Sequence, residues 1–373
     1  MSATIVEKNL HGLRWLVVEG HRDEVFRALG AATAEDIRAV LDTMPEAAGL
    51  RRYAATAQGR AAVEGVLART RASHARELRE LRDLAAGAGV DPELVLLANL
   101  RGDLGGDDGV GCSDLAYRGT RSLLAHNEDG APALDGRFLL LTVAIAGEVP
   151  VTVQWYPGFL PSNTFVATGH GLVWGINHVQ IPAPAMAAGR HFVARRVQQQ
   201  PNLDGVVRYL TEHPSAGGFT YTVGELRTGR VVTIEAAAGR CATVTADPST
   251  RPLLWHTNHL RLLETEPTTG RADGKGTGAR GLGLREESEA RGRVLASLLP
   301  PDDGPDTGWL LDVLAHKAMP DGVYRSATGD DPLMTLCTTV VDLTARMITL
   351  RPRGGGTVTL GAAEFASGGA HLE

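Results

Sequence analysis

Cys112 follows a run of glycine and aspartate, "DLGGDDGVG" (residues 103–111), and opens a stretch that closes on Asn127-Glu128-Asp129. A thiol of ordinary pKa, about 8.5, is only a few per cent thiolate at neutral pH and needs a base before it can act as a nucleophile. Cutting the bond before Cys112 would supply one. The freed α-amine, with a pKa of roughly 7.7–8.0, titrates close to operating pH and is tethered to the thiol it serves. Gly111 suits such a cut, because a residue without Cβ lets the thiol approach its carbonyl. A lone cysteine is more often a small buried hydrophobe, and that reading competes.

Other residues could carry chemistry. His256-Thr257-Asn258-His259 spells H-x-x-H, and a zinc hydrolase would add a third ligand such as Glu235 or Asp129. Zinc motifs of that kind put two histidines one turn apart on a helix, whereas "LLWHTNHL" reads as a strand running into a loop, where positions i and i+3 face opposite sides. Asp103, Asp107 and Asp108 miss the EF-hand spacing and read as a solvated loop. Arg291 could contact substrate, although "ESEARGRVL" more simply makes it the exposed face of a helix. Trp155, Tyr156, Phe159, Phe165 and Trp174 surround a Tyr-Pro-Gly loop and could line an apolar pocket.

These residues need elements to hold them. Residues 3–19 read as a hairpin turning at His11-Gly12. Helices follow, the longest over about 50–87, with Arg76/Glu80 and Arg79/Asp83 spaced as i,i+4 pairs on a solvated face. Asp91-Pro92-Glu93 starts another helix. From residue 112 strands dominate: 113–129 as a pair joined at Gly119-Thr120, then pairs joined at Gly147-Glu148 and Gly169–Gly171. Helices are expected over 189–214, strands over 219–245 and 252–257, a long mobile loop over 264–284, helices at about 285–299 and 307–316, and a closing hairpin around Leu343-Thr344-Ala345. Antiparallel hairpins joined by helices argue an α+β fold rather than a doubly wound parallel sheet.

The bulk numbers exclude several classes. The chain has 373 residues, 43% of them hydrophobic, enough for a full core. A net charge of −6 gives no basic footprint for nucleic acid. No stretch approaches ~18 uninterrupted apolar residues, so no membrane partner is expected. Three scattered cysteines, Cys112, Cys241 and Cys337, make neither a disulfide framework nor a zinc ribbon. With no visible secretory signal, they point to a reducing, cytoplasmic setting. No GxGxxG or Walker pattern calls for a dinucleotide or ATP, and no cofactor is expected.

"GCSDLAYRGT…LLAHNEDG" resembles the start of the mature chain in the acyl-coenzyme A:6-aminopenicillanic acid acyltransferase family, self-cleaving cysteine enzymes of the N-terminal nucleophile (Ntn) hydrolase superfamily. The pattern is Gly-Cys, a strand pair, then Asn-x-Asp. "ELRELRDLAAGAGVDPELVLLANLRGDL" resembles the family's propeptide helices, and "WYPGFLPSNTFVATGHGLVWGINHV" its Tyr-Pro-Gly loop and the strand ending in Asn. "WHTNHL" resembles its His-x-Asn-His segment, and "TTVVDLTARMITLRP" its closing hairpin. Where many members have Gly-x-Asn before the inner strand, this chain has "ATGHG".

The resemblance implies a four-layer αββα sandwich. Residues 1–111 would form a mostly helical propeptide retained after cleavage at Gly111-Cys112, and residues 112–373 the catalytic chain. It implies Cys112 as nucleophile, Asp129 as partner of the α-amine or thiol, and Asn258 as oxyanion donor with Asn177 near it; Asn127, Tyr156, Trp174 and Arg291 are candidate substrate contacts from the residues themselves. The substrate would be a small N-acyl amide or acyl-thioester, with no cofactor. A homo-oligomer, a zinc hydrolase built on His256 and His259, and an uncleaved binding protein stay open.

Overall fold

The computed structural model describes residues 3–44, 46–105, 111–263, 283–319, 321–329 and 331–369. The acidic positions Asp107 and Asp108, and most of the loop expected over 264–284, lie outside them. Two sheets stack face to face. The larger has nine strands in the order β1-β2-β5-β6-β7-β8-β9-β10-β11. These are Thr4–Leu10, Leu13–Gly20, Leu139–Ile145, Val151–Trp155, Val166–Thr168, Leu172–His178, Gly218–Glu225, Arg230–Ala237 and Arg240–Thr245. The smaller has six in the order β12-β3-β4-β13-β14-β15: Leu253–His256, Ser113–Arg118, Ser122–Gly130, Met334–Asp342, Met347–Pro352 and Val358–Gly361. Strands β3 and β4 of the smaller sheet pack on β8, β9 and β10 of the larger.

Helices cover both outer faces. The helix α1 (Arg22–Ala32) lies on β1, β2 and β5, and α8 (Leu203–Glu212) on β9, β10 and β11. On the other side α9 (Leu284–Ala296) packs on β12, and α10 (Thr307–Ala315) on β4 and β13. Further helices are α2 (Ala34–Thr43), α6 (Pro92–Asn99), α7 (Arg190–Val197) and α11 (Ala362–Ala366). The result is the expected αββα sandwich, an α+β fold. No helix among the described residues is long and apolar enough to cross a membrane.

The N-terminal segment departs from its sequence reading in two ways, while keeping its first turn. Its hairpin turns at His11 and Gly12, both with positive φ, as the two central residues of a tight turn require. That hairpin then joins the larger sheet, with β2 running parallel to β5 (Trp15 opposite Leu140), so the first part of the chain is not purely helical. The single helix expected over 50–87 is three: α3 (Ala47–Ala54), α4 (Ala57–Ser73) and α5 (Ala75–Ala88). Thr56 caps the second by accepting from the Gly59 N–H, which breaks the run.

The solvated face expected on α5 is also half wrong. Glu80 is buried and accepts from Arg195 Nε at 2.9 Å, while Arg76 turns to Glu77 and Glu148. Asp83 pairs with Arg27 of α1. Glu80 and Asp83 are thus partners of other elements, not of the arginines one turn before them.

Candidate active site

Cys112 lies just ahead of β3, and the β3–β4 register decides its neighbours. Ser113 pairs with Asn127 and Asp114 with His126, so Cys112 comes opposite Glu128. Directly opposed residues share a face of the sheet. Cys112 and Asp114 therefore project to the same side as His126 and Glu128, while Asn127 and Asp129 point to the other.

On the first side a buried polar chain forms. Asp114 Oδ1 lies 2.7 Å from His126 Nδ1, and His126 Nε2 lies 2.9 Å from Glu128 Oε2. Glu128 Oε1 accepts from the Tyr156 hydroxyl at 2.6 Å and faces Cys112 Sγ at 3.7 Å. Burial disfavours a charged imidazole, yet the hydrogen bonds to Asp114 and Glu128 outweigh it and push His126 up to about 10. A protonated ring would donate to both side chains. Burial, then the charges of Glu128 and Asp129, push the Cys112 thiol well above its ordinary value, only partly offset by a hydrogen bond from the Asp129 backbone.

On the second side Asp129 Oδ1 accepts from Thr335 Oγ1 at 2.6 Å, while Oδ2 is buried with no hydrogen-bond partner among the described residues. Burial raises its carboxyl to about 7, against the pull of Arg325 and Arg291. Gly111 packs against this residue so closely that a Cβ there would sit 2.5 Å from Asp129 Cβ. Its lack of a side chain is thus a packing requirement in the uncut chain.

Arg291 is the main correction to the sequence reading. It is not on an exposed face; it is fully buried. Its Nη1 donates to the carbonyls of Gly111 (3.1 Å) and Cys112 (2.8 Å) and to Ser113 Oγ (2.9 Å), and its Nη2 donates to Asn258 Oδ1 at 2.6 Å. Glu287, one helical turn earlier on α9, accepts from Arg291 Nε at 2.6 Å and also takes Arg325. "ESEARGRVL" hides this, because the helix is polar on its buried side as well.

The other expected residues divide. Asn258 is fixed by Arg291 and by donating its Nδ2 to the His178 carbonyl at 2.9 Å. Asn177, next to His178 on β8, is buried with neither amide atom hydrogen-bonded. A pocket opens on Cys112 and is lined by Gly111, Glu128, Asp129, Tyr156, Phe159 and Ile176 among others, with Val40, Met44 and Arg101 from the N-terminal segment. Tyr156 lines this pocket. Asn127 does not: its amide donates to the Leu314 carbonyl at 2.7 Å and accepts from Thr338 Oγ1 at 2.7 Å, tying β4 to α10 and β13. Trp174 is wholly buried in the core and does not line the pocket.

His256 and His259 do not converge as zinc ligands would. His256 is held by Glu235 at 2.9 Å and by the Thr257 carbonyl, His259 by Ser288 Oγ at 2.9 Å. Among the described residues, the ligand-type cluster is instead Cys112, His126 and Glu128, within 4.8 Å of one another. Both nitrogens of His126 lie against carboxylates, so the cluster reads as a hydrogen-bonded chain. The sequence reading missed Asp114, His126 and Glu128. The run His126-Asn127-Glu128-Asp129 is polar throughout, so the strand period alone could not say which face carries the site; the β3–β4 register does.

Residues 117–353 match the model of the family described as "Acyl-coenzyme A:6-aminopenicillanic acid acyl-transferase". Among solved structures the chain is similar to a mutant of conjugated bile acid hydrolase from Clostridium perfringens (10% identity, TM-score 0.41, covering 67% of this chain and 92% of that one). It is also similar to penicillin V acylase from Agrobacterium tumefaciens (11% identity, TM-score 0.38, covering 67% and 86%). No curated protein matches the chain. The family match takes in the greater part of the chain, from β3 through the hairpin of β13 and β14: the protein belongs to the acyl-coenzyme A:6-aminopenicillanic acid acyl-transferase family.

Proposed function

We propose that this protein is a self-processing cysteine amidohydrolase or N-acyltransferase, with Cys112 as nucleophile for both processing and turnover. Family membership supports the coarse part, amide hydrolysis or acyl transfer. The observation that carries the finer part is Arg291. A buried guanidinium donates to the carbonyl of Gly111, the residue before the thiol, and so stands where negative charge would develop if Cys112 attacked that carbonyl. Cleavage would leave Cys112 with a free α-amine beside the unpartnered Oδ2 of Asp129, a carboxylate suited to hold it as an ammonium or to accept from it as an amine.

In turnover the α-amine takes the thiol proton and the thiolate attacks the acyl carbon of an N-acyl amide or acyl-thioester in the pocket. The collapsing intermediate expels the amine or thiol, leaving a thioester on Cys112. Water or an amine then attacks that thioester, so hydrolysis and transfer share every step up to the acyl-enzyme. Asn258 holds Arg291 on one side as Glu287 does on the other.

Intact mass is the test. Purified protein should resolve into two chains, the larger beginning at Cys112, and Cys112→Ala should remain one. An intact wild-type chain that nevertheless turns over acyl amides defeats the proposal.

A further inference from the structure

The α-amine explains turnover but not the first event. Before the Gly111–Cys112 bond is cut that amine is a peptide nitrogen and cannot act as a base. The thiol must still lose a proton, in a buried place where its ionisation is disfavoured. Some other group has to take it.

We infer that Glu128 is the base of the uncut chain, with His126 and Asp114 as positioning residues that hold its carboxylate toward Cys112 Sγ. The inference rests on the self-processing reading above. Glu128 Oε1 is 3.7 Å from Sγ, and its other oxygen is fixed 2.9 Å from His126 Nε2. Asp114 fixes the far nitrogen of the ring at 2.7 Å. The arrangement is costly to build: two carboxylates and an imidazole, all with little or no solvent contact. The larger sheet makes room for it. A Cβ on Gly175 of β8 would lie 2.4 Å from Asp114 Oδ1 and 2.5 Å from His126 Nδ1. Asp129, the acid that the family resemblance implies as partner, instead accepts from Thr335 and projects from the other side of β4.

The step balances. The Sγ proton passes to Glu128 Oε1 as sulfur bonds to the Gly111 carbonyl carbon. Arg291 Nη1 donates to the resulting oxyanion. The C–N bond to Cys112 breaks, and the nitrogen takes the proton from Glu128, becoming the α-amine. Water then hydrolyses the thioester, releasing the Gly111 carboxyl and restoring the thiol. Tyr156, which donates to the same Oε1, keeps that oxygen in place. After the cut the new amine takes over the thiol proton, so Glu128 serves maturation and the α-amine serves turnover.

The experiment follows cleavage of the full-length chain by intact mass, with a melting temperature for each variant. Glu128→Gln keeps the size and the Tyr156 contact but removes the base. Cleavage should slow at least a hundredfold, roughly the lower range for general-base catalysis, with little change in melting temperature. Glu128→Ala should be equally slow and should be accelerated by formate, which can enter the pocket that Glu128 lines. His126→Asn should slow cleavage less than Glu128→Gln does. Cleavage of Glu128→Gln at the wild-type rate overturns the inference. So does a loss that tracks a fallen melting temperature with no response of Glu128→Ala to formate, which would make the chain merely structural. A wild type that never cleaves, or a Cys112→Ala chain that does, strikes the self-processing reading itself and is distinguishable from both.

Discussion

Arg291 shows how a charge is kept in the dry interior and put to use. Its donors are shared among Glu287, Asn258 and the polar atoms of residues 111–113, so the planar fork is satisfied on every side. Lysine carries the charge without the fork. Arg291→Lys should fold, yet self-cleavage should fall about a hundredfold or more, the usual loss when a preorganised donor to an oxyanion is removed. Asn258→Ala frees one end of the fork and should slow both cleavage and turnover of the cut fraction. A normal rate with a lowered melting temperature would reduce Asn258 to a brace between α9 and β8. Asp129 titrates in the opposite sense to an ordinary salt-bridged acid. Its carboxyl ionises near ~3.9 in the unfolded chain but only at about 7 when folded. Between those values the native state holds the extra proton, so stability falls as pH rises from about 4 to about 7 and is level above. In an uncleavable Cys112→Ala background, Asp129→Asn should therefore raise the melting temperature clearly at about pH 8 and hardly at about pH 4. A uniform effect at both pH values would show that the carboxyl ionises normally.

The pair β3–β4 is the element on which the site is strung, and it was partly legible in the sequence. The strands and their turn at Gly119-Thr120 could be placed from glycine positions and apolar runs, because those cues are local; Cys112 stood out by following the glycine run, and Asp129 only through the family resemblance. The roles of Asn127, Glu128 and Arg291 were not legible, for a physical reason. One residue's shift along an extended strand turns a side chain to the other face, so Asn127, Glu128 and Asp129 have three different fates, set by what packs above and below. Asn127 is claimed by α10 and β13, Glu128 by the thiol and His126, Asp129 by Thr335. Arg291 was hidden because a helix that buries a charge looks like one that exposes it until its partners are known. Gly175 tests the element as a whole. Gly175→Ala would force β8 away from Asp114 and His126, and overpacking of that kind costs roughly 1–3 kcal/mol. Chemical denaturation should show a loss of that order, and cleavage should slow with it as the polar chain is displaced. An unchanged midpoint would mean that the two sheets are looser here than their packing indicates.

At the scale of the whole molecule, the segment before Cys112 cannot be a detachable cover. Its β2 is hydrogen-bonded in parallel to β5, α1 lies on the same sheet, and Trp15 is wholly buried with its indole donating to Thr142 at 2.9 Å. Val40, Met44 and Arg101 from the same segment line the pocket beside Cys112. Removing residues 1–111 would strip a strand edge from the larger sheet and open the pocket to water. If the chain is cut before Cys112, the two products should therefore co-elute in gel filtration at the mass of the uncut protein and part only in denaturant. The pocket wall gives a finer test that does not depend on dissociation. Met44 is a flexible apolar side chain at the pocket and far in sequence from Cys112. Met44→Ala should leave self-cleavage at the wild-type rate, since that reaction uses no external substrate. It should also change KM among acyl substrates of different chain length, with long apolar acyl groups losing or gaining most. The check is a series of N-acyl amides differing only in acyl length, each assayed for kcat and KM on fully cleaved protein. An unchanged KM across the series would show that substrate binds away from the N-terminal segment. That segment would then serve the fold alone.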